Sequence, residues 1–258
     1  MSRELLLEGR RLAVGYGARV VGRDLDVAVG AGEVIALLGP NGGGKTTLLK
    51  TLLGLVPPLA GDVRVEGRPL AEIGLAERAR LLAYVPQAHA GVFAFTALEV
   101  VLTGRGARGG FLGRPGPRDR TVAAACLERL GVAHLAERAY TRISGGERQL
   151  VLIARALAQE PRVVILDEPT ASLDFGNHGR VMGEIGRLTA AGLGVVFSTH
   201  DPNHALRYAN RALLMRDGGL LSSGIAVEVL TGPTLEYLYG APVRVIETTS
   251  DTAFLPGP

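Results

Sequence analysis

The chain has 258 residues, 47% of them hydrophobic and 21% charged, with a net charge of +3; this length buries a full core unaided, and the composition excludes wholesale disorder. The single cysteine, Cys126, excludes an intrachain disulfide framework and suits a reducing compartment, while so small a charge gives no reason of its own to expect nucleic acid. No apolar run approaches the ~18 residues that would cross a bilayer, and the first residues lack the apolar core of a signal peptide, so neither membrane spanning nor secretion is expected.

Residues 5–14 and 20–29 read as strands, the second alternating at Val21, Leu25, Val27 and Val29, with a turn at Gly15-Tyr16-Gly17 between them. The continuous apolar run 34–38 reads as a strand covered on both faces, followed by a glycine-rich turn and a helix over 45–53. Short strands are predicted at 61–65 and 82–85. From 88 to 142 the character changes, with helices at 96–102 and 121–130, a Gly/Pro/Arg-rich loop at 104–117 between them, and no strong strand. This block is a candidate helical insertion. A helix at 145–158 carries Leu150, Ile153, Ala154 and Leu157 at helical spacing. Alternation then resumes with strand 162–167, helix 179–190, strand 194–199 and helix 203–208. A hairpin is predicted over 211–215 and 220–222 around Asp217-Gly218-Gly219, and residues 247–258 read as a polar, mobile tail. The pattern is α/β with a helical insert.

Of 28 basic residues only Lys45 and Lys50 are lysines, so a lysine inside a motif carries weight. Gly39-Pro40-Asn41-Gly42-Gly43-Gly44-Lys45-Thr46-Thr47 fits G-x-x-x-x-G-K-[ST] between a buried strand and a helix, where roughly 0.003 matches arise by chance. Glycines there let backbone N–H groups turn inward around phosphate oxygens, with the helix N-terminus adding its dipole. Lys45 is placed to reach the β- and γ-phosphates, and the Thr46 hydroxyl to ligate magnesium. The strand before Asp167 and Glu168 delivers two carboxylates, Asp167 suited to magnesium through water and Glu168 to polarising an attacking water. Standing alone, that pair reads as the solvated acidic end of a buried strand; beside the phosphate loop the catalytic reading prevails. His200 follows another strand at the edge where ligands sit in such sheets, in reach of a γ-phosphate. Ser144-Gly145-Gly146-Glu147-Arg148-Gln149 opens a helix and reads either as an anion site or as a capped helix start. His178 and His204 lack a convincing ligand set and read as surface or packing residues.

The order and spacing of these motifs, from about 5 to 246, resemble the ATP-binding subunit of ABC transporters. The resemblance implies an α/β fold with a P-loop NTPase (RecA-like) core at 1–87 and 143–246, an N-terminal antiparallel β region, and a helical subdomain at 88–142. Gly39 to Thr47 resembles the Walker A loop and the strand ending at Asp167 the Walker B strand. Glu168 is similar to the catalytic glutamate and Ser144, Gly145, Gly146 and Glu147 to the family signature. Gln87 resembles the Q-loop glutamine that touches magnesium, Ser172-Leu173-Asp174 the D-loop, and His200 the switch histidine. Tyr16 lies where the family places an aromatic on adenine, or is an ordinary hairpin aromatic. Two departures stand out: Glu147 where glutamine is commoner, and Ala171-Ser172-Leu173-Asp174 where Ser-Ala-Leu-Asp is.

The resemblance further implies ATP and magnesium as ligands and a homodimer in which the signature of one chain closes over ATP held by the other. It also implies two integral membrane permease subunits, a substrate-binding protein, no nucleic acid, and a place on the cytoplasmic face of the membrane. The stretches around Gln87, Asp174 and His200 are similar to importers of iron–siderophore, haem, cobalamin or molybdate. Residues 88–106, with Arg105 and Arg108, are expected to dock the membrane partner. The alternatives are an ABC ATPase with other cargo or direction, a soluble one acting on nucleic acid, and an ATP-holding module without turnover.

Overall fold

The computed structural model describes residues 4–87, 95–108, 115–171, 173–249 and 252–257. The chain divides into two units, residues 1–71 with 196–258, and residues 72–195.

In the first unit, β1 (Leu5–Tyr16) and β2 (Arg19–Gly30) form an antiparallel hairpin. Leu25, Val27 and Val29 face inward and Asp24 and Asp26 outward, as the alternation requires. The hairpin is longer than expected: Tyr16 still pairs with Arg19, so the turn is Gly17–Ala18. β3 (Val34–Leu38) is buried throughout and leads to α1 (Lys45–Leu52), which lays Leu48, Leu49 and Leu52 on β1. β4 (Ala60–Val65) and β5 (Arg68–Pro69) complete a sheet in the order β2-β1-β4-β5.

The second unit opens with α2 (Leu75–Leu81), which has no buried residue and therefore no apolar period for the sequence reading to detect. β6 (Leu82–Val85) runs into the stretch before α3 (Ala97–Thr103), which is capped reciprocally by Thr96 and Glu99. α4 (Pro117–Arg129) starts four residues before the expected boundary, because Pro117 suits the first helical turn and Asp119 accepts from the Gly116 N–H at 2.9 Å. α5 (Gly145–Ala158) packs against both α3 and α4. β7 (Val163–Leu166) lies parallel to β6, Leu82 opposite Val163 and Val85 opposite Leu166. α6 (Phe175–Ala190) also begins early, at a cap provided by Asp174, where Gly176 and Gly179 had hidden the helical signal.

The boundary between the units falls within β8 (Gly194–Thr199). α7 (Pro202–Tyr208) follows, then β9 (Arg211–Arg216), parallel to β3 from Ile35 opposite Arg211 to Leu38 opposite Leu214. β10 (Gly219–Ile225) returns antiparallel through Asp217 and Gly218, whose φ angles of 50° and 79° are those a type I′ turn needs. α8 (Ala226–Val229) and α9 (Gly232–Tyr239) lead to a last hairpin, β11 (Val243–Glu247) with β12 (Thr252–Pro256). The expected polar, mobile tail differs here: Thr252–Pro256 is a paired strand, and Phe254, 4% exposed, anchors it. One apolar anchor among polar neighbours leaves no period to read.

The expectation that Arg105 presents charge to a partner is overturned. Arg105 is 5% exposed. Its Nε donates to Asp119 Oδ1 and its Nη1 to Glu160 Oε2, both at 2.8 Å, and Nη1 also to the Ala158 carbonyl at 2.7 Å. Arg108 extends the clasp onto the Gln159 and Glu160 carbonyls. Residues 88–94 of the expected docking stretch lie outside the described residues. The Arg105 guanidinium holds the Asp119 and Glu160 carboxyls below their ordinary values. Lowered carboxylate pKa values mean stability that is full above the ordinary carboxylate range and lost as pH falls through the lowered values. Arg105→Ala should therefore melt at a lower temperature than wild type at pH 7, with the gap narrowing below about pH 4; thermal unfolding from pH 7 to 3 measures it. Separately, a Cβ at Gly179 or Gly183 of α6 meets open space. Alanine at either should raise stability by about 0.5–1 kcal/mol, read from chemical denaturation.

Candidate functional site

The phosphate loop belongs to the first unit and is shaped by what its glycines leave out. A Cβ on Gly39, at φ 153°, would stand 2.2 Å from the Met215 carbonyl oxygen, so the loop lies against the end of β9 only with glycine there. Gly44, at φ 94°, takes a left-handed conformation as α1 begins. No side chain caps α1 and no acidic residue occupies its first turn. The positive end of the helix dipole is thus offered to an external anion. Lys45 is 6% exposed, and its Nζ donates to the Gly39 carbonyl at 2.6 Å and the Pro40 carbonyl at 3.1 Å. Its ammonium is held over its own loop. Asn41, Gly42 and Thr46 are exposed beside it, Gly43 donates to Pro40, and Thr47 is buried. In the same unit, His200 is exposed directly after β8, and Tyr16 is 49% exposed at the hairpin end.

The second unit gathers the carboxylates at one strand edge. The Asp167 N–H donates to the Val85 carbonyl at 2.8 Å, carrying the β6–β7 pairing past β7 and setting Asp167 at the same carboxyl edge as Gln87. Asp167 is buried, and the Tyr84 hydroxyl donates to its Oδ2 at 3.4 Å. Tyr84 was not singled out from sequence; its signal is its place on β6, opposite Ile165, which lies two residues before Asp167. Glu168 takes φ 47°, a left-handed conformation costly for a side chain of its kind, on the order of 1–2 kcal/mol. The chain turns sharply there, with Ala171 N–H donating to the Glu168 carbonyl.

Ser144 and Glu147 form the capped helix start that the sequence allowed. The Ser144 hydroxyl accepts from Glu147 N–H at 3.2 Å, and Glu147 Oε2 accepts from Ser144 N–H at 2.7 Å. Those bonds hold the Glu147 carboxyl below its ordinary value. Glutamine can fill the same place, which accounts for the departure at 147. A Cβ at Gly145 meets open space, so its lack of a side chain is not required by packing within the chain. Asp174 likewise caps α6, its Oδ1 accepting from Asn177 N–H at 2.8 Å, while Ser172 lies outside the described residues. His204 pairs with Asp201 at 3.1 Å, and no group of three His, Cys, Asp or Glu is poised for a metal among the described residues. Burial pushes the Cys126 thiol up to about 11, which keeps it protonated and inert at neutral pH.

A strand, a glycine loop and an uncapped helix with a buried lysine define a P-loop nucleotide-binding protein. The model of the ABC transporter family matches residues 23–171, more than half of the chain, and the chain belongs to that family as an ATP-binding subunit. It is 42% identical over 245 residues to the hemin import ATP-binding protein HmuV of Gloeobacter violaceus, covering 91% of this chain and 88% of that one. It is 33% identical over 241 residues to the iron(3+)-hydroxamate import ATP-binding protein FhuC of Bacillus subtilis, covering 93% and 90%. A solved chain, described as an inward-facing metal-chelate type ABC transporter, superposes with a TM-score of 0.86 at 33% identity, covering 98% of both. No helix among the described residues is long and apolar enough to cross a membrane.

If Glu147 acts mainly as a cap, Glu147→Gln should keep stability within about 0.5 kcal/mol of wild type, whereas Glu147→Ala should lose about 0.5–2 kcal/mol; denaturant midpoints distinguish the two.

Proposed function

We propose that this chain hydrolyses ATP to drive the import of a metal chelate through separate membrane subunits, from the cytoplasmic face of the membrane. The observation that carries the ATPase reading is the loop built on Gly39 and Gly44, with Lys45 held over it and no competing acid at the start of α1. The cargo reading rests on the hemin and iron-hydroxamate relatives and the metal-chelate neighbour; it extends to siderophores, haem, cobalamin and molybdate as one class of metal chelate or oxyanion.

In this reading the loop from Gly39 to Thr47 wraps the β- and γ-phosphates, Lys45 turns from its own carbonyls to the phosphate oxygens, and Tyr16 stacks on adenine. The donors fit magnesium. A threonine hydroxyl, an amide oxygen and one carboxylate, from Thr46, Gln87 and Asp167 (the last through water), are hard oxygen groups of the kind that hold this ion when phosphate supplies the rest. When bound, magnesium neutralises charge on the phosphates. Tyr84 orients the Asp167 carboxylate through its hydroxyl. Glu168 accepts a proton from the attacking water as the water oxygen bonds to the γ-phosphorus and the bond to the ADP oxygen breaks. His200 donates to the γ-phosphate. Ser144, Gly145, Gly146 and Glu147 of one copy, with Asp174, complete the site of the second copy in a homodimer. Two permease subunits and a substrate-binding protein complete the importer.

Lys45→Ala should weaken ATP binding and abolish hydrolysis. Glu168→Gln should bind ATP normally and hydrolyse it about 10²–10⁴ times more slowly, while forming an ATP-dependent dimer on size exclusion. Wild-type turnover in either variant would overturn the assignment. Cargo is tested by disrupting the gene and measuring uptake of labelled haem and ferric hydroxamate in turn.

A further inference from the structure

His200 is exposed at the end of β8, at the head of the short loop that enters α7. A cavity of about 440 Å³ borders the loop on the side of the C-terminal segment, bounded by His200, Pro202, Leu235, Tyr239, Pro242 and Leu255. On the side of that space the loop is held by directional bonds rather than by filled packing. From its own side, Thr199 Oγ1 accepts from Asp201 N–H at 3.1 Å, Asp201 Oδ1 accepts from Asn203 N–H at 2.8 Å and from Asn203 Nδ2 at 3.0 Å, and His204 Nε2 lies 3.1 Å from Asp201 Oδ2. Further bonds come from the C-terminal segment. The Tyr239 hydroxyl, on the last residue of α9, donates to the His200 carbonyl at 3.0 Å. Asn203 donates through Nδ2 to the Phe254 carbonyl at 3.0 Å and accepts at Oδ1 from the Phe254 N–H at 2.8 Å, using both polar groups of that residue's backbone.

The segment making these bonds is itself tied to the strand that supports the phosphate loop. Arg216 lies over the Tyr237 ring, 4.5 Å from its centroid, and its guanidinium donates to the Tyr237 carbonyl. The preceding residue, Met215, carries the carbonyl against which Gly39 lies. Glu236 accepts from Val243 N–H at 3.0 Å, joining α9 to the final hairpin. A continuous path therefore runs from Gly39 through Met215, Arg216 and Tyr237 to Tyr239 and the His200 carbonyl. Burial pushes the Tyr239 phenol far above its ordinary value, so it stays a donor at every physiological pH.

We propose that α9 and the β11–β12 hairpin form a positioning device for His200, in which Tyr239, through the His200 carbonyl, and Asn203, through the Phe254 backbone, set the imidazole relative to the phosphate loop. The device rests on the reading of His200 as a γ-phosphate contact. Tyr239 and Asn203 are positioning residues and touch no nucleotide. Small displacements of a group that must meet a transition state are costly in rate and nearly silent in ground-state binding.

The test is single-turnover hydrolysis of labelled MgATP by the full chain in excess over nucleotide, with ATP affinity measured separately by equilibrium binding. Tyr239→Phe, which removes one oxygen atom, should slow hydrolysis roughly tenfold and leave ATP affinity within about twofold. Asn203→Ala reaches the same loop from the hairpin side and should show the same split. His200→Ala should be slower than either, and adding Tyr239→Phe to it should slow it no further. Slow His200→Ala with wild-type rates in Tyr239→Phe and Asn203→Ala would overturn the positioning device and leave the His200 reading standing. A double variant slowed by the product of the single effects would also overturn it, since Tyr239 would then act by another route. A wild-type rate in His200→Ala would overturn the reading of His200 itself, and the device with it.

Discussion

The carbonyl of Met215 occupies the space where residue 39 would carry a side chain. That one close approach ties the phosphate loop to β9, and β9 is held parallel to β3, the strand from which the loop emerges. The loop is thus supported at its root by the strand before it and along its flank by the neighbouring strand. Because the backbone is set this way, α1 starts with no side-chain cap and no acid in its first turn, and Lys45 bonds the carbonyls of its own loop. An anion-binding site is the consequence of where a carbonyl sits.

The second unit solves a different problem, that of ending strands and beginning helices at defined places. β6 and β7 end together, and the pairing of Asp167 N–H with Val85 carries that alignment to the carboxylate. Left-handed Glu168 then turns the chain away. Three helix starts in this unit, at Thr96, Ser144 and Asp174, are closed by side chains that accept the N–H three residues on. At two of them, Ser144 and Asp174, the capping residue also lies in a stretch that resembles a motif of the family. A residue can serve both ends because a capping side chain satisfies local backbone groups while its neighbours remain exposed.

Arg105 shows how charge misleads when read along a line. It belongs to the stretch 88–106 that follows Gln87 on the inserted helical block and was expected to dock a partner, yet it is spent inside the fold on Asp119, Glu160 and a carbonyl. Those partners are 14 and 55 residues away, and the carbonyl is 53 away. Nothing in local spacing brings them together. The same holds for Tyr84, whose hydroxyl meets Asp167 only because two strands 83 residues apart are adjacent.

What the sequence determined by itself is what depends on near neighbours: the apolar run of β3, the strand-loop-helix signature around Lys45, the alternation of β2, the Asp-Gly turn before β10, and the order of motifs that marks the family. Each is a local match between residue chemistry and backbone demand, so it survives without knowledge of the fold. The tertiary structure alone decided the rest. It took Arg105 out of solvent, turned residues 252–256 from expected tail into a strand around Phe254, and brought Tyr239 and Asn203 to the loop of His200. These are contacts between groups far apart in the chain, and their energy comes from burial and from hydrogen bonds that no short window of residues contains.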